Sequence, residues 1–194
     1  MRSVLGNKRL ILASKSPRRS ELLKAADIPF ELHLQEVDET VDPNVHPMMV
    51  AEVIADKKAE AAWQEVGNSE VIVLAADSVV ILGKKIFGKP KTADEAFLML
   101  SHLSGRIHTV VTGVVLKSNE KKVSFSSKTL VSFREMVKEE IDYYISEYEP
   151  FDKAGAYGIQ DWIGMCKVSE IHGTYSNVMG LPIDLVYEGL KQLS

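Results

Sequence analysis

Apolar positions in this chain fall in short runs, and the spacing inside each run separates strands from helices. The stretch Arg9 to Ser14 carries Leu10-Ile11-Leu12-Ala13 without a polar break and reads as a strand. Ser16 and Pro17 then suit the N-cap and first position of a helix from Pro17 to Ala26, with Leu22, Leu23 and Ala26 sharing an apolar face. Phe30 to Gln35 reads as a second strand, so this start is a βαβ-like unit whose crossover ends at Asp27-Ile28-Pro29. Glu36 to Pro47 is acidic, contains Pro43 and Pro47, and reads as a surface loop. Met48 to Val66 follows as a long helix with Val50, Val53, Ile54 and Ala61 on or near one face.

The most apolar run, Val71 to Ala76, shows no alternation, which predicts a strand buried on both faces and ending at Asp77. Val79 to Leu82, a turn at Gly83 and Ile86-Phe87 form a predicted hairpin before Gly88-Lys89-Pro90. Thr92 and Glu95 make a capping box for a helix to Leu103, stopped by Ser104-Gly105. Ile107 to Leu116 and Val123 to Phe133 are β-rich and flank a polar turn, which predicts an antiparallel pair. Lys138 to Tyr148 reads as helix, Pro150 to Gln160 as a glycine-rich loop, Met165 to Ile171 as a strand and Leu185 to Leu193 as a closing helix. The expected fold class is α/β, with a mixed central sheet and flanking helices. One domain over residues 1–194 is expected, with two lobes around a cleft near Asp77 to Lys89.

Composition narrows the function classes. The 194 residues include 45% hydrophobic and 26% charged positions, no apolar run of membrane-spanning length and no leader pattern at Met1, so a cytoplasmic protein is expected. A single cysteine, Cys166, excludes an internal disulfide, and the five histidines lack metal-ligand spacing, so any metal is expected on oxygen ligands. The formal net charge of −4 argues against a general nucleic-acid or anionic-membrane binder. A homodimer is the expected assembly, as the commonest soluble oligomer.

Local charge is more telling. Arg18 and Arg19 stand at a helix start, where the dipole is already positive, so an anion such as a phosphate is expected beside them and Ser14. The ordinary reading is a capped helix with two solvent-facing arginines. Asp77, at the expected carboxyl edge of a strand, offers a base facing that anion site; alone it reads as a turn or cap residue. Lys58 on the long helix and Lys89, pinned between Gly88 and Pro90, could add cations, although single lysines are usually solvated. Asp38 and Glu39 are either a hydrated acidic pair or hard ligands for magnesium. Gln160 closes the loop from Asp152, and its amide offers the donor and acceptor that match N3–H and O4 of uracil or thymine.

In this order and spacing, these segments resemble the Maf family of nucleotide pyrophosphatases. The resemblance rests on Leu12 to Arg19 with Glu21-Leu22-Leu23, Ala75 to Val80, Gly88-Lys89-Pro90, Leu103 to Arg106 with His108, Asp152 to Gln160, and Asn177 to Pro182. It implies a fold like that of Ham1 and inosine triphosphatase proteins. The implied reaction is hydrolysis of a nucleoside triphosphate to monophosphate and pyrophosphate with a divalent cation, usually magnesium. A house-cleaning role, linked in bacteria to septum formation, is implied as well. Asp77 falls on the proton acceptor and, with Glu39, near the metal; Ser14, Arg18, Arg19, Lys58 and Lys89 fall on substrate-binding positions. Arg19, Ser78 and Gln160 fall on specificity positions, and the Asp152 to Gln160 form resembles the subgroup acting on dTTP and UTP. Ser78 departs from the family's common threonine, keeping the hydroxyl and losing a methyl. Two other readings stay open: a nucleotide-binding regulator of division that needs no turnover, and a pyrophosphatase for modified purine nucleotides.

Overall fold

The computed structural model describes residues 4–193; Met1, where the leader was sought, lies outside them. The strands are β1 (Arg9–Ala13), β2 (Glu31–Leu32), β3 (Val71–Leu82), β4 (Lys85–Phe87), β5 (Ile107–Lys117), β6 (Lys122–Phe133) and β7 (Val168–His172). The helices are α1 (Pro17–Ala25), α2 (Val50–Val66), α3 (Ala93–Leu103), α4 (Lys138–Tyr148), α5 (Trp162–Lys167), α6 (Tyr175–Met179) and α7 (Ile183–Lys191). Single 3-10 turns stand at Pro47–Met49, Pro150–Asp152 and Ala154–Ala156. The strands form one sheet in the order β2-β1-β3-β5-β6-β7, with β4 also pairing β3. The β1–β2 and β1–β3 pairs are parallel, and β3–β4 and β6–β7 antiparallel, which makes the sheet mixed as expected. Among the described residues no helix is long and apolar enough to cross a membrane.

The chain divides into two compact units: residues through Asp77, Thr112–Ser127 and from Gly180 onward; and Ser78–Val111 with Lys128–Met179. In the first, strand alternation sorts the core into two layers. Leu10, Leu12, Ile72, Leu74 and Ala76 pack with Leu23, Val186 and Leu190. Ile11, Ala13, Val71, Val73 and Ala75 pack instead against Ala55, Ala59 and Ala62 of α2. Both faces of β3 are therefore buried here, as its unbroken apolar run requires. The alanines on α2 keep that helix close to the sheet.

In the second unit Leu100, Leu103, Val131, Phe133, Tyr144, Ile145, Tyr157 and Ile163 share one core. Thr92 caps α3 by accepting from the Glu95 N–H, while the Glu95 carboxylate accepts from the N–H of Lys91 rather than of Thr92. His108 is buried in this core, with Nε2 hydrogen-bonded to the Tyr157 hydroxyl at 2.7 Å and both rings edge-on to Phe133. Burial pushes the imidazole from its ordinary 6.5 down to about 4. Between those values the unfolded chain binds the proton and the folded chain does not, so stability is full above pH 6.5 and falls as the pH drops toward 4. The loss amounts to about 3 kcal/mol at most. Denaturant midpoints across this range should decline less steeply in His108→Gln than in the parent; parallel slopes would place the acid sensitivity elsewhere.

Several boundaries differ from the sequence reading, three of them by more than the end of an element, and so does one cap. β3 does not end at Asp77 but continues to Leu82, because the following Ser78 to Leu82 keep extended geometry and pair onward with β4. Only Glu31–Leu32 of the expected Phe30 to Gln35 strand pairs, along one edge of β1. Met165 to Lys167 is helical, and the strand begins at Val168. Ser16 occupies the N-cap of α1 without a side-chain cap bond; its own N–H donates instead to the Ser14 hydroxyl.

Candidate active site

Alternation along β3 decides where Asp77 faces. It follows Val71, Val73 and Ala75 on the α2 side of the sheet, opposite a helix that places Lys58 next to the packed Ala55 and Ala59. The Lys58 ammonium lies 2.7 Å from Asp77 Oδ1 and 2.7 Å from Glu39 Oε1, so one cation joins two carboxylates from separate elements. Lys58 and Asp77 are mostly buried, with side chains 15% and 12% exposed, whereas the Glu39 side chain is 48% exposed. The second oxygen of Asp77 accepts no hydrogen bond from the described residues.

The neighbouring Lys57 points elsewhere: its ammonium donates to the Thr40 carbonyl at 2.6 Å and holds the acidic loop down. Gln35 adds a second tie, donating to the Lys58 carbonyl at 2.9 Å. The acidic pair is split by these contacts. Glu39 turns toward Lys58, while the Asp38 carboxylate accepts from the Thr40 N–H, and hydrogen bonding to Thr40 draws its pKa down.

The Ser14 to Arg19 corner is built tightly. Arg19 is buried, its Nε donating to the Gly180 carbonyl at 2.8 Å and its Nη1 to the Ser14 hydroxyl at 2.9 Å. Ser14 Oγ thus accepts from Arg19 and from the Ser16 N–H, which uses both lone pairs and leaves its O–H as a donor. Burial lowers the Arg19 pKa; Asp77 and Glu39 oppose that shift and Arg18 adds to it. A guanidinium titrates far above neutral pH, so Arg19 remains a cation. Arg18 is half-buried on the same helix turn. Within this unit, Arg18, Arg19 and Lys58 bring positive charge to the neighbourhood of Asp77 and Glu39.

Ser78, Lys89 and Gln160 belong to the second unit. Ser78 is half-buried in β3, directly after Asp77. Lys89 is exposed beside Gly88, whose carbonyl accepts from the Gly155 N–H at 3.0 Å. That bond ties the Lys89 segment to the Asp152 to Gln160 loop. It needs glycine at position 155, where φ is +69° and a Cβ would sit 2.9 Å from a Val80 methyl. Gln160 is half-buried, and its Oε1 is enclosed without a hydrogen-bond donor among the described residues.

Two hard oxygen donors, Glu39 and Asp77, already converge on one cation, and among the described residues no cluster of three or more His, Cys, Asp or Glu is assembled for a metal. This donor set suits a magnesium ion that takes few protein carboxylates and completes its shell with phosphate oxygens and water. Sequence reasoning named neither the Gly180 carbonyl that holds Arg19 nor the buried Tyr144 and half-buried Asp161 that flank the Gln160 turn.

A family model described as Maf-like protein matches residues 9–193. A dTTP/UTP pyrophosphatase of Bacillus cytotoxicus is 48% identical over 185 residues, covering 95% of this chain and 95% of that protein. A dTTP/UTP pyrophosphatase of Thermosipho africanus is 47% identical over 180 residues, covering 93% of this chain and 91% of that protein. Among solved structures, the Staphylococcus aureus Ham1 protein aligns with a TM-score of 0.48 and 17% identity, over 65% of this chain and 72% of that one.

Proposed function

The chain belongs to the Maf family, and from that membership we propose that it hydrolyses dTTP and UTP to the monophosphate and pyrophosphate. The observation that carries the mechanism is a carboxylate held through one oxygen by a buried ammonium and beside a buried guanidinium. Lys58 fixes Asp77 through Oδ1, and the other oxygen takes a proton from water as that water attacks the α-phosphorus. An O–P bond forms, the bond from the α-phosphorus to the bridging oxygen breaks, and pyrophosphate leaves with the electron pair. Arg18 and Arg19 offset the triphosphate charge, and the Ser14 O–H donates to a phosphate oxygen; Lys89 keeps the substrate-binding role that the Maf resemblance implies for it. Arg19 also keeps that hydroxyl in place.

Glu39 and Asp77 would hold a divalent cation, most simply magnesium. When bound, it polarises phosphoryl oxygens and neutralises charge on the leaving group. Lys58 keeps the two carboxylates from repelling each other.

Gln160 is assigned to the base. Its half-buried amide carries an acceptor that matches N3–H of uracil or thymine and a donor that matches O4. Arg19 and Ser78 complete the proposed specificity positions. Gln160→Glu should lower kcat/KM for UTP and dTTP by roughly 10–100-fold, because a carboxylate cannot donate to O4. A panel of canonical triphosphates checks this, and an unchanged preference would remove Gln160 from base reading.

A further inference from the structure

A glutamine amide does not by itself distinguish uracil from cytosine. With Oε1 toward N3 and Nε2 toward position 4 it matches uracil, and turned over it matches the cytosine N3 acceptor and amino donor equally well. Selectivity therefore needs something that fixes which way the amide faces. The turn from Gly158 to Asp161 is held from outside by a single hydroxyl. Tyr144 of α4, fully buried, accepts from the Gly158 N–H at 3.0 Å and donates to Asp161 Oδ2 at 2.7 Å. Both ends of the four-residue segment that carries Gln160 are thereby anchored to one helix.

Three further observations mark this as a built arrangement. Asp161 stands at the N-cap of α5, yet its carboxylate takes no N–H from that helix and is spent on Tyr144 instead. The Lys153 ammonium, itself mostly buried, lies 3.9 Å from the same carboxylate oxygen. At position 158 a Cβ would fall 2.8 Å from Gln160 Nε2 and 2.6 Å from Asp161 Oδ2, so the glycine lets both side-chain ends lie close over the turn. That placement leaves Oε1 as the enclosed acceptor without a donor. Burial and the Asp161 carboxylate push the Tyr144 ionisation up, so the hydroxyl keeps its proton at neutral pH.

We propose that Tyr144 and Asp161 are positioning residues that lock the Gln160 amide in its uracil-reading orientation and so set the preference for UTP and dTTP over CTP. This rests on the reading of Gln160 as the base-contacting residue. The test compares kcat/KM for UTP and CTP in the parent, Tyr144→Phe, Asp161→Leu, Asp161→Asn and Gln160→Ala, with thermal midpoints recorded alongside. Tyr144→Phe and Asp161→Leu should reduce the UTP-to-CTP ratio by roughly tenfold or more, chiefly through a higher KM for UTP. Asp161→Asn retains an acceptor for the Tyr144 hydroxyl and should keep the ratio. Should Tyr144→Phe not fold, the contrast between the two Asp161 variants carries the test. Equal losses on both nucleotides, with the ratio unchanged, would overturn the proposal and leave a purely structural clamp. Gln160→Ala separates the two levels. If it collapses the ratio while the clamp variants keep it, only the positioning role falls; if it leaves the ratio unchanged, the base assignment itself falls.

Discussion

Asp77→Asn should lower kcat for UTP hydrolysis by roughly 10²–10⁴-fold, the range a positioned general base supplies. Asparagine preserves volume and can still accept from Lys58 through its carbonyl oxygen, so the fold and the Lys58 contact should survive. What it cannot do is take a proton on the other side of the group. The change therefore isolates the chemical step from binding: KM, or nucleotide affinity by calorimetry, should shift far less than kcat. This variant also separates an enzyme from a nucleotide-binding regulator, since a protein that only binds has no use for a base on Asp77. Near-normal turnover by folded Asp77→Asn would assign the proton to another group.

Lys58→Ala should have the next largest effect. Its ammonium is the cation shared by Asp77 and Glu39, and its removal leaves two carboxylates from different elements without the charge that joins them. The two like charges then repel, and the Asp77 carboxylate loses the hydrogen bond that fixes Oδ1. The rate constant kcat should fall by roughly 10²–10³-fold, because the base is no longer held in place beside the phosphates. Lys58→Arg, which keeps the charge, should recover part of the loss. A raised KM with kcat unchanged would mean that Lys58 serves substrate binding alone and not the base.

Much of this geometry was legible before any coordinates. The unbroken run Val71 to Ala76 announced a strand covered on both sides, and the two core layers against α2 and against α1 and α7 are its direct consequence. With that burial known, alternation alone sends Asp77 to the α2 face, where Lys58 waits. The strand's continuation through Asp77 was harder to read, because aspartate is depleted in strands and a nearby glycine turn suggested a separate hairpin. α5 illustrates a tertiary override. Met165 to Lys167 run into the β-rich Val168 to Ile171 and read as one strand with it, but they continue a helix whose Gly164 backbone packs within van der Waals contact of Ile159, where no side chain could fit.

Long-range polar contacts were beyond sequence reasoning. Arg19 read as a cation turned toward a ligand, whereas one face of its guanidinium belongs to a carbonyl 161 positions away. The bond from Tyr144 to Asp161 joins a helix to a loop 17 residues further on, a spacing that no periodicity reveals. The Lys57 and Lys58 choice lies between these extremes. Sequence places both on α2, and packing separates them: the small face of the helix sets Lys58 over the sheet and leaves Lys57 to the loop.

The central claim is hydrolysis at the α-phosphorus of a uracil- or thymine-bearing triphosphate. It is tested most directly by incubating the protein with magnesium and UTP in ¹⁸O-labelled water, with dTTP, CTP, ATP and GTP in parallel, and identifying the products by mass. The account predicts equimolar UMP and pyrophosphate, the label in UMP, and the highest kcat/KM for UTP and dTTP. Release of inorganic phosphate with UDP, label in pyrophosphate, or a preference for purine triphosphates would contradict it.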